Sequence, residues 1–240
     1  MNGNIIKIIT LLVALLPSTY LVADDSMPCA HPLSDDWSTL FSEDLSNAIY
    51  QSGVWSMEGN VLTASSDGMI STSKVYDNFI LDLEFKFGPS ANSGVVVYCT
   101  DIRNWIPNSV EVQLADDHSK KFSEAPLRQW CGAIFGHKAA TRQKVVKNPG
   151  EWNRMTVSCE DHFITVVLNG ELVNTFDMRA WTSAETNPDG SPIPPWLSRP
   201  KADLPTYGHI GLQGKHGDAD IAFRNVRIKE LSSQSPKSKN

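Results

Sequence analysis

The chain reads as an all-β protein, an antiparallel two-sheet sandwich, on three observations. Short runs rich in Val, Ile, Thr and Phe alternate at period two, turn signals separate them, and sustained helical periodicity is missing after residue 23. Many strands without helices between them call for a sandwich or a barrel, and one apolar face per strand favours two stacked sheets. A length of 240 residues suits one large β domain, and I-, V- and F-rich runs spread over residues 38–231 leave no second domain to place.

The elements follow in order. Lys7, the apolar run 8–16 and Pro17 read as a signal peptide over 1–23, too short for a comfortable membrane span. Residues 24–37 form a linker. Val54 to Met57 and Val61 to Ala64 flank Glu58-Gly59-Asn60, a hairpin connection. In the run from Phe79 to Phe87, Phe79, Leu81, Leu83, Phe85 and Phe87 share one face while Asp82, Glu84 and Lys86 share the other. Residues 93–100 are nearly all apolar, as expected of a central strand. Residues 110–114 alternate again, with Glu111 and Gln113 on the polar face. Residues 155–157 and 164–168 continue the rhythm, and Asn169-Gly170 signals a type I′ turn before 171–173. The last strands are 209–213 and 220–228, and the apolar parity slips between Phe223 and Val226, which predicts a bulge near Asn225. Residues 232–240 form a Ser/Lys tail.

Composition narrows the function. A charged fraction of 20% and a net charge of −6 without a basic cluster argue against nucleic acid. Export through the signal peptide, to the periplasm or beyond, places Cys29, Cys99, Cys131 and Cys159 where disulfides persist, and predicts at least one among the three possible pairings. The Pro-rich stretch 179–207 is long for a compact domain, which favours a functional loop that walls a groove. Trp181 and Trp196 lie in it, where an indole face can stack on a sugar ring.

Two clusters can carry chemistry. Glu111 and Gln113, with Asp116 nearby, place a proton-transfer carboxylate beside an amide; the plain alternative is a solvated strand face. In Gly208 to Gly217, His209 and Gln213 oppose Ile210 and Leu212, and His216 can act as acid, base or metal ligand; its plain alternative is an exposed turn histidine. Trp55 and Trp152, at strand starts, read as core. HExxH, GxSxG and phosphate-cradling glycine motifs are missing.

The order of Asn92-Ser93-Gly94-Val95, Val110-Glu111-Val112-Gln113-Leu114, Gly132-Ala133-Ile134-Phe135-Gly136, Pro149-Gly150-Glu151-Trp152-Asn153, Leu168-Asn169-Gly170, Gly208 to Gly217 and Phe223-Arg224-Asn225 resembles the 3-keto-disaccharide hydrolase domain family over residues 38–231. The resemblance implies a concanavalin A-like or laminin-G-like jelly roll, exported from bacteria and acting on a small carbohydrate. It places catalytic candidates at Glu111 and His216, and substrate-binding candidates at Gln113, Gln213, Arg224, Glu84 and Asn92. The terminal motif here is Leu-Gln-Gly-Lys-His-Gly, where a shorter Leu-Gln-x-His-Gly form also occurs in the family.

That substrate class implies its own chemistry. A C3 ketone acidifies the C2 proton, and the aglycone on C1 lies β to the carbonyl. Loss of the C2 proton can therefore expel the aglycone, and water can add to the enone. One base, one acid and a stabiliser for the C3 oxyanion are needed; Arg224 or a divalent metal is a candidate for the last. No particular metal is implied. Two rivals remain: a non-catalytic sugar-binding module, which needs tryptophan platforms but no acid–base pair, and an adhesion domain, which needs a broad apolar patch.

Overall fold

The computed structural model describes residues 31–32 and 35–232. The expected signal peptide, Cys29 and residues 233–240 of the expected tail lie outside the described residues.

Among the described residues thirteen strands make two antiparallel sheets. The first five are β1 (Ser38–Thr39), β2 (Ala48–Ile49), β3 (Trp55–Glu58), β4 (Val61–Ala64) and β5 (Met69–Thr72). Next come β6 (Phe79–Phe87), β7 (Asn92–Cys99), β8 (Val110–Ala115) and β9 (Asn153–Glu160). The last four are β10 (Phe163–Leu168), β11 (Glu171–Asp177), β12 (His209–Gln213) and β13 (Ile221–Glu230). The eight-stranded sheet runs β11-β10-β9-β6-β13-β4-β3, with β1 also paired to β13; the five-stranded sheet runs β2-β5-β12-β7-β8.

Alternation fixes which side chains meet between the sheets. Phe79, Leu81, Leu83, Phe85 and Phe87 of β6 point inward and are almost wholly buried with Val95, Val97, Val112, Leu114, Ile70 and Leu212 of the facing sheet. Each such side chain contributes about 1.5–3 kcal/mol by leaving water. A one-residue slip of register would turn the whole set outward.

The turns follow the local sequence. Asn169 (φ 50°) and Gly170 (φ 88°) are both left-handed, as a type I′ turn between β10 and β11 requires. The bulge near Asn225 is present: its φ is 51°, and the register of β13 on β6 shifts between Arg224 and Arg227. A second shift lies in the central run, where Tyr98 (φ 55°) turns into the core and its hydroxyl donates to the Asp161 carbonyl at 2.9 Å.

Three expectations need correction. Cys99, Cys131 and Cys159 are all free and buried, so no disulfide joins any of them; burial pushes all three thiols up, Cys99 to about 11. Their strand and loop positions use sulfur as a small apolar filler. Trp152 is not core: it lies half-buried on the outward face of the eight-stranded sheet, under Arg224. The linker is partly docked, because His31 donates from Nδ1 to Thr156 Oγ1 (2.8 Å) and accepts at Nε2 from Gly170 N–H (3.0 Å).

Candidate functional site

The site grows from the outward face of the five-stranded sheet. Glu111 stands opposite Val96 and Gln113 opposite Gly94 on β7, while Gly211 of β12 stands opposite Val96 on its other side. Glu111, Gln113, Asn92 and Gln213 therefore share one face, with two glycines as its floor. Gly94 has a steric reason: a Cβ there would overlap the Glu111 carboxyl group, so the glycine lets Glu111 lie across the strand. At Gly211 a Cβ would come within 2.6 Å of Met69 Sδ.

Hydrogen bonds set the polar side chains. Gln113, itself buried, donates from Nε2 to Asn92 Oδ1 at 2.7 Å. The Asn92 carbonyl accepts from His216 N–H at 3.3 Å, which ties the glycine-rich turn after β12 to the same strand. Lys215 N–H and Gly214 N–H donate to the carbonyls of Ser66 and Gly68, so the turn before β5 lies alongside. Asp67 in that turn meets His216: Nδ1 to Oδ2 is 2.7 Å. A carboxylate on Nδ1 holds the proton there and leaves Nε2 as the free base.

Glu111 is different. It is half-buried, and no described side chain or backbone group hydrogen-bonds its carboxyl. Burial pushes it up to about 8; the positive charge of Lys201 pulls it down and the negative charge of Asp67 pushes it up further. Glu111 is thus largely protonated at neutral pH, as a general acid must be.

Lys201 was not foreseen. It comes from the Pro-rich loop, is almost wholly buried, and donates from Nζ to the Ser109 carbonyl at 2.8 Å, two residues before Glu111. Burial holds it down at about 8 against the attraction of Glu111. The same loop places Arg199 Nη1 on Asn108 Oδ1 at 2.9 Å. Leu197 and Pro194 pack against Gly136. Gly136 closes the segment 132–136, which extends the sheet beyond β8 through backbone bonds to Glu111 and Gln113. The Pro-rich loop therefore packs beside the Glu111 end of β8. Behind it lies His137, buried, with Nδ1–H donating to the Phe135 carbonyl at 2.7 Å and Nε2 without a partner. Burial and the Lys201 charge hold it down at about 4, so it is neutral.

Other candidates fall elsewhere. Glu84 and Arg224 are not at this site: they pair with one another (Nε to Oε2, 2.7 Å) on the outward face of the eight-stranded sheet, across the core from Glu111. An Arg224 on that sheet cannot also hold an oxyanion beside Glu111. Trp181 offers no stacking face, because it is buried against Phe176 (4.2 Å between centroids) and its Nε1–H donates to Asn187. Trp196 remains 57% exposed and keeps an open face. Asp116 is buried and accepts from Ser90 and His118 N–H, so it shapes a turn. Among the described residues no three His, Cys, Asp or Glu side chains gather to hold a metal ion, and no helix is long and apolar enough to cross a membrane.

Comparison with known proteins gives the family and the fold. Residues 36–229 match the family model described as the 3-keto-alpha-glucoside-1,2-lyase-like domain. A solved structure from Parabacteroides distasonis, named a "Putative glycosyl hydrolase", is 54% identical with a TM-score of 0.80, covering 82% of this chain and 100% of that one. A second from the same organism, so named too, is 25% identical with a TM-score of 0.66, covering 84% and 99%. A Bacillus subtilis protein with a galectin-like fold shares the fold at 11% identity and a TM-score of 0.52, covering 81% and 94%. No curated protein matches the chain.

Proposed function

We propose, because the chain belongs to the 3-keto-alpha-glucoside-1,2-lyase-like family, that it is an enzyme cleaving the glycosidic bond of 3-keto-glycosides by elimination followed by hydration. The observation that carries this reading is a half-buried carboxyl without a hydrogen-bond partner, Glu111, held up to about 8, on the same face as a His–Asp pair. A sugar-binding module has no need of either.

The roles follow from protonation. His216, with Nδ1 on Asp67, takes the C2 proton at Nε2. The electrons of that C–H bond form the C1=C2 double bond, and the C1–O bond breaks with its pair on the aglycone oxygen. Protonated Glu111 gives that oxygen its proton. Water then adds at C1, giving one proton to the Glu111 carboxylate, while the proton held by His216 returns to C2, so both residues regain their starting states. Gln113 and Asn92, locked to one another, orient hydroxyls, and Gln213 adds an amide from β12. Lys201 keeps positive charge beside Glu111, which stabilises the carboxylate that proton donation leaves behind.

Incubation of the protein with a 3-keto-disaccharide tests this reading. Free monosaccharides should accumulate, an enone absorbance should rise transiently, and the unoxidised disaccharide should stay intact, since without the ketone its C2 proton is not acidic. Binding without cleavage would transfer the chain to the second reading, a sugar-binding module, for which the exposed Trp196 is the one favourable feature.

A further inference from the structure

The outward face of the eight-stranded sheet holds a second polar cluster that the cleavage reaction does not use. Asp82 and Glu84 of β6 lie between Arg154 of β9 and Arg224 and Arg227 of β13. Lys86 continues the same face. Two carboxylates therefore pair with three guanidinium groups.

The way these arginines bond is informative. Arg179 elsewhere makes the usual fork on a carboxylate, Nε to Asp177 Oδ1 at 2.9 Å and Nη2 to Oδ2 at 2.8 Å. Arg154 and Arg227 each give only Nε to Asp82, both at 2.9 Å, and Arg224 gives only Nε to Glu84 at 2.7 Å. Their Nη edges make no bond to the described protein. Two of the guanidinium planes are also held by indoles, Arg224 over Trp152 at 4.1 Å and Arg227 over Trp37 at 4.8 Å. The result is a set of planar donors fixed in advance, which lowers the cost of ordering them on a ligand.

Arg154 and Arg227 line a cleft of about 300 Å³ with Asp82, Glu84, Asn60 and Thr39, and Arg224 lines the adjoining one. Both carboxylates in the cleft are already engaged; Glu43 stands on the rim of the adjoining one. Thr39 faces Arg227 directly across the β1–β13 pair and its side chain is exposed.

We propose that this cleft is a second ligand site, which binds an acidic saccharide through its carboxylate. Planar Nη edges match a planar carboxylate, and the volume admits one sugar ring with its amide and hydroxyl neighbours at Asn60 and Thr39. The choice of a saccharide rests on the family reading; the choice of an anion rests on the arginines alone.

Titration of tryptophan fluorescence with glucuronate, glucose and sulfate tests the proposal, since Trp37 and Trp152 lie under the guanidinium groups. Glucuronate should change the signal saturably, with affinity falling as salt rises, and glucose should not. Thr39→Glu supplies a carboxylate in place of the ligand's and should weaken glucuronate at least about tenfold. Thr39→Gln should bind as the parent does, and cleavage of the 3-keto-disaccharide should be unchanged in both. If Thr39→Glu does not fold, Asn60→Asp gives the same readout. Sulfate binding as tightly as glucuronate would overturn the acidic-sugar assignment, and no saturable response to glucuronate would overturn the site. The binding results do not depend on the 3-keto-disaccharide assay, so failure here and failure of the proposed reaction are told apart.

Discussion

The two outward faces of the sandwich are built by the same alternation, yet they dispose of their carboxylates in opposite ways. On the eight-stranded sheet Asp82 accepts from Arg154, Arg227 and Thr156, and Glu84 accepts from Arg224 and Asn225. Burial pushes Glu84 up, but those hydrogen bonds and charges outweigh it and hold the carboxyl below its usual range. On the five-stranded sheet Glu111 has no such partner, and burial takes it the other way. Carboxylates that are fully paired hold strands in register; a carboxyl whose hydrogen-bonding capacity is left open, beside a buried lysine, is in the proposed reaction the proton donor.

The sharpest way to break this contrast is Glu111→Gln. The amide keeps the shape and removes the transferable proton, so kcat/KM on a 3-keto-disaccharide should fall about 10²–10⁴-fold. Stability should move the other way. Because the folded carboxyl titrates near 8 and an ordinary one near 4.5, the parent binds its proton more tightly when folded and loses stability as pH rises between those values. The variant does not titrate, so its melting temperature should gain on the parent from pH 5 to pH 8, by the equivalent of about 1–3 kcal/mol. Near-native turnover in this variant would remove Glu111 from the reaction.

Gly94→Ala asks whether placement matters as much as chemistry. The new methyl group takes the space of the Glu111 carboxyl and must displace it. A misplacement of about 1 Å can cost about 10²-fold, so kcat should drop by that order while KM changes little. Steady-state kinetics decide it; a rise in KM alone would mean that Glu111 only binds.

These residues also show what the bare sequence discloses. A continuous apolar run marked β7, and Glu58-Gly59-Asn60 and Asn169-Gly170 marked the two hairpin turns. Period-two alternation identified β6 and β8, because burial of one face acts residue by residue along a strand. The slip near Asn225 was legible for the same reason. Glu111, Gln113, Asn92 and Gln213 were singled out from strand parity and family motifs; they share one face, on which Gln113 bonds Asn92. Sheet membership was not legible: Glu84 and Arg224 sit on strands that alternate like β8, and only long-range pairing assigns them to the other sheet. Lys201 was hidden because nothing local marks one lysine of a Pro-rich loop for burial against Ser109. Asp67 lay in a Ser-Asp-Gly turn with no sign of its partner 149 residues away. Trp181 and Trp196 share a loop, and packing alone separates the anchor from the exposed ring.

Lys201→Met sharpens the electrostatic half of the comparison. If protonated Glu111 is the acid, kcat/KM should decline on the alkaline side near pH 8. Lys201 pulls Glu111 down, so its removal should carry that limb upward by about one pH unit. A pH–rate profile reads the shift, which a merely structural role for Lys201 would not produce. An unmoved limb would separate the lysine from Glu111.

The smallest effect on turnover is expected at Thr156, on the face where the carboxylates are paired. Its buried hydroxyl donates to Asp82 Oδ1 at 2.8 Å and accepts from His31, which in turn accepts from Gly170 N–H. Thr156→Val keeps the β-branched shape, leaves Asp82 to its two arginines, and strands the His31 Nδ1–H. Loss of a buried hydrogen bond to a charged group is worth about 1.5–3 kcal/mol, so the melting temperature should fall by several degrees. Turnover of the 3-keto-disaccharide should stay within about twofold of the parent, because a substitution on one outward face acts on stability and leaves the geometry of distant groups alone. Calorimetry and kinetics on the same sample decide the matter: a large loss of kcat with an unchanged melting temperature would mean that the two faces are coupled through the core, and their division into a structural and a reactive side would fail.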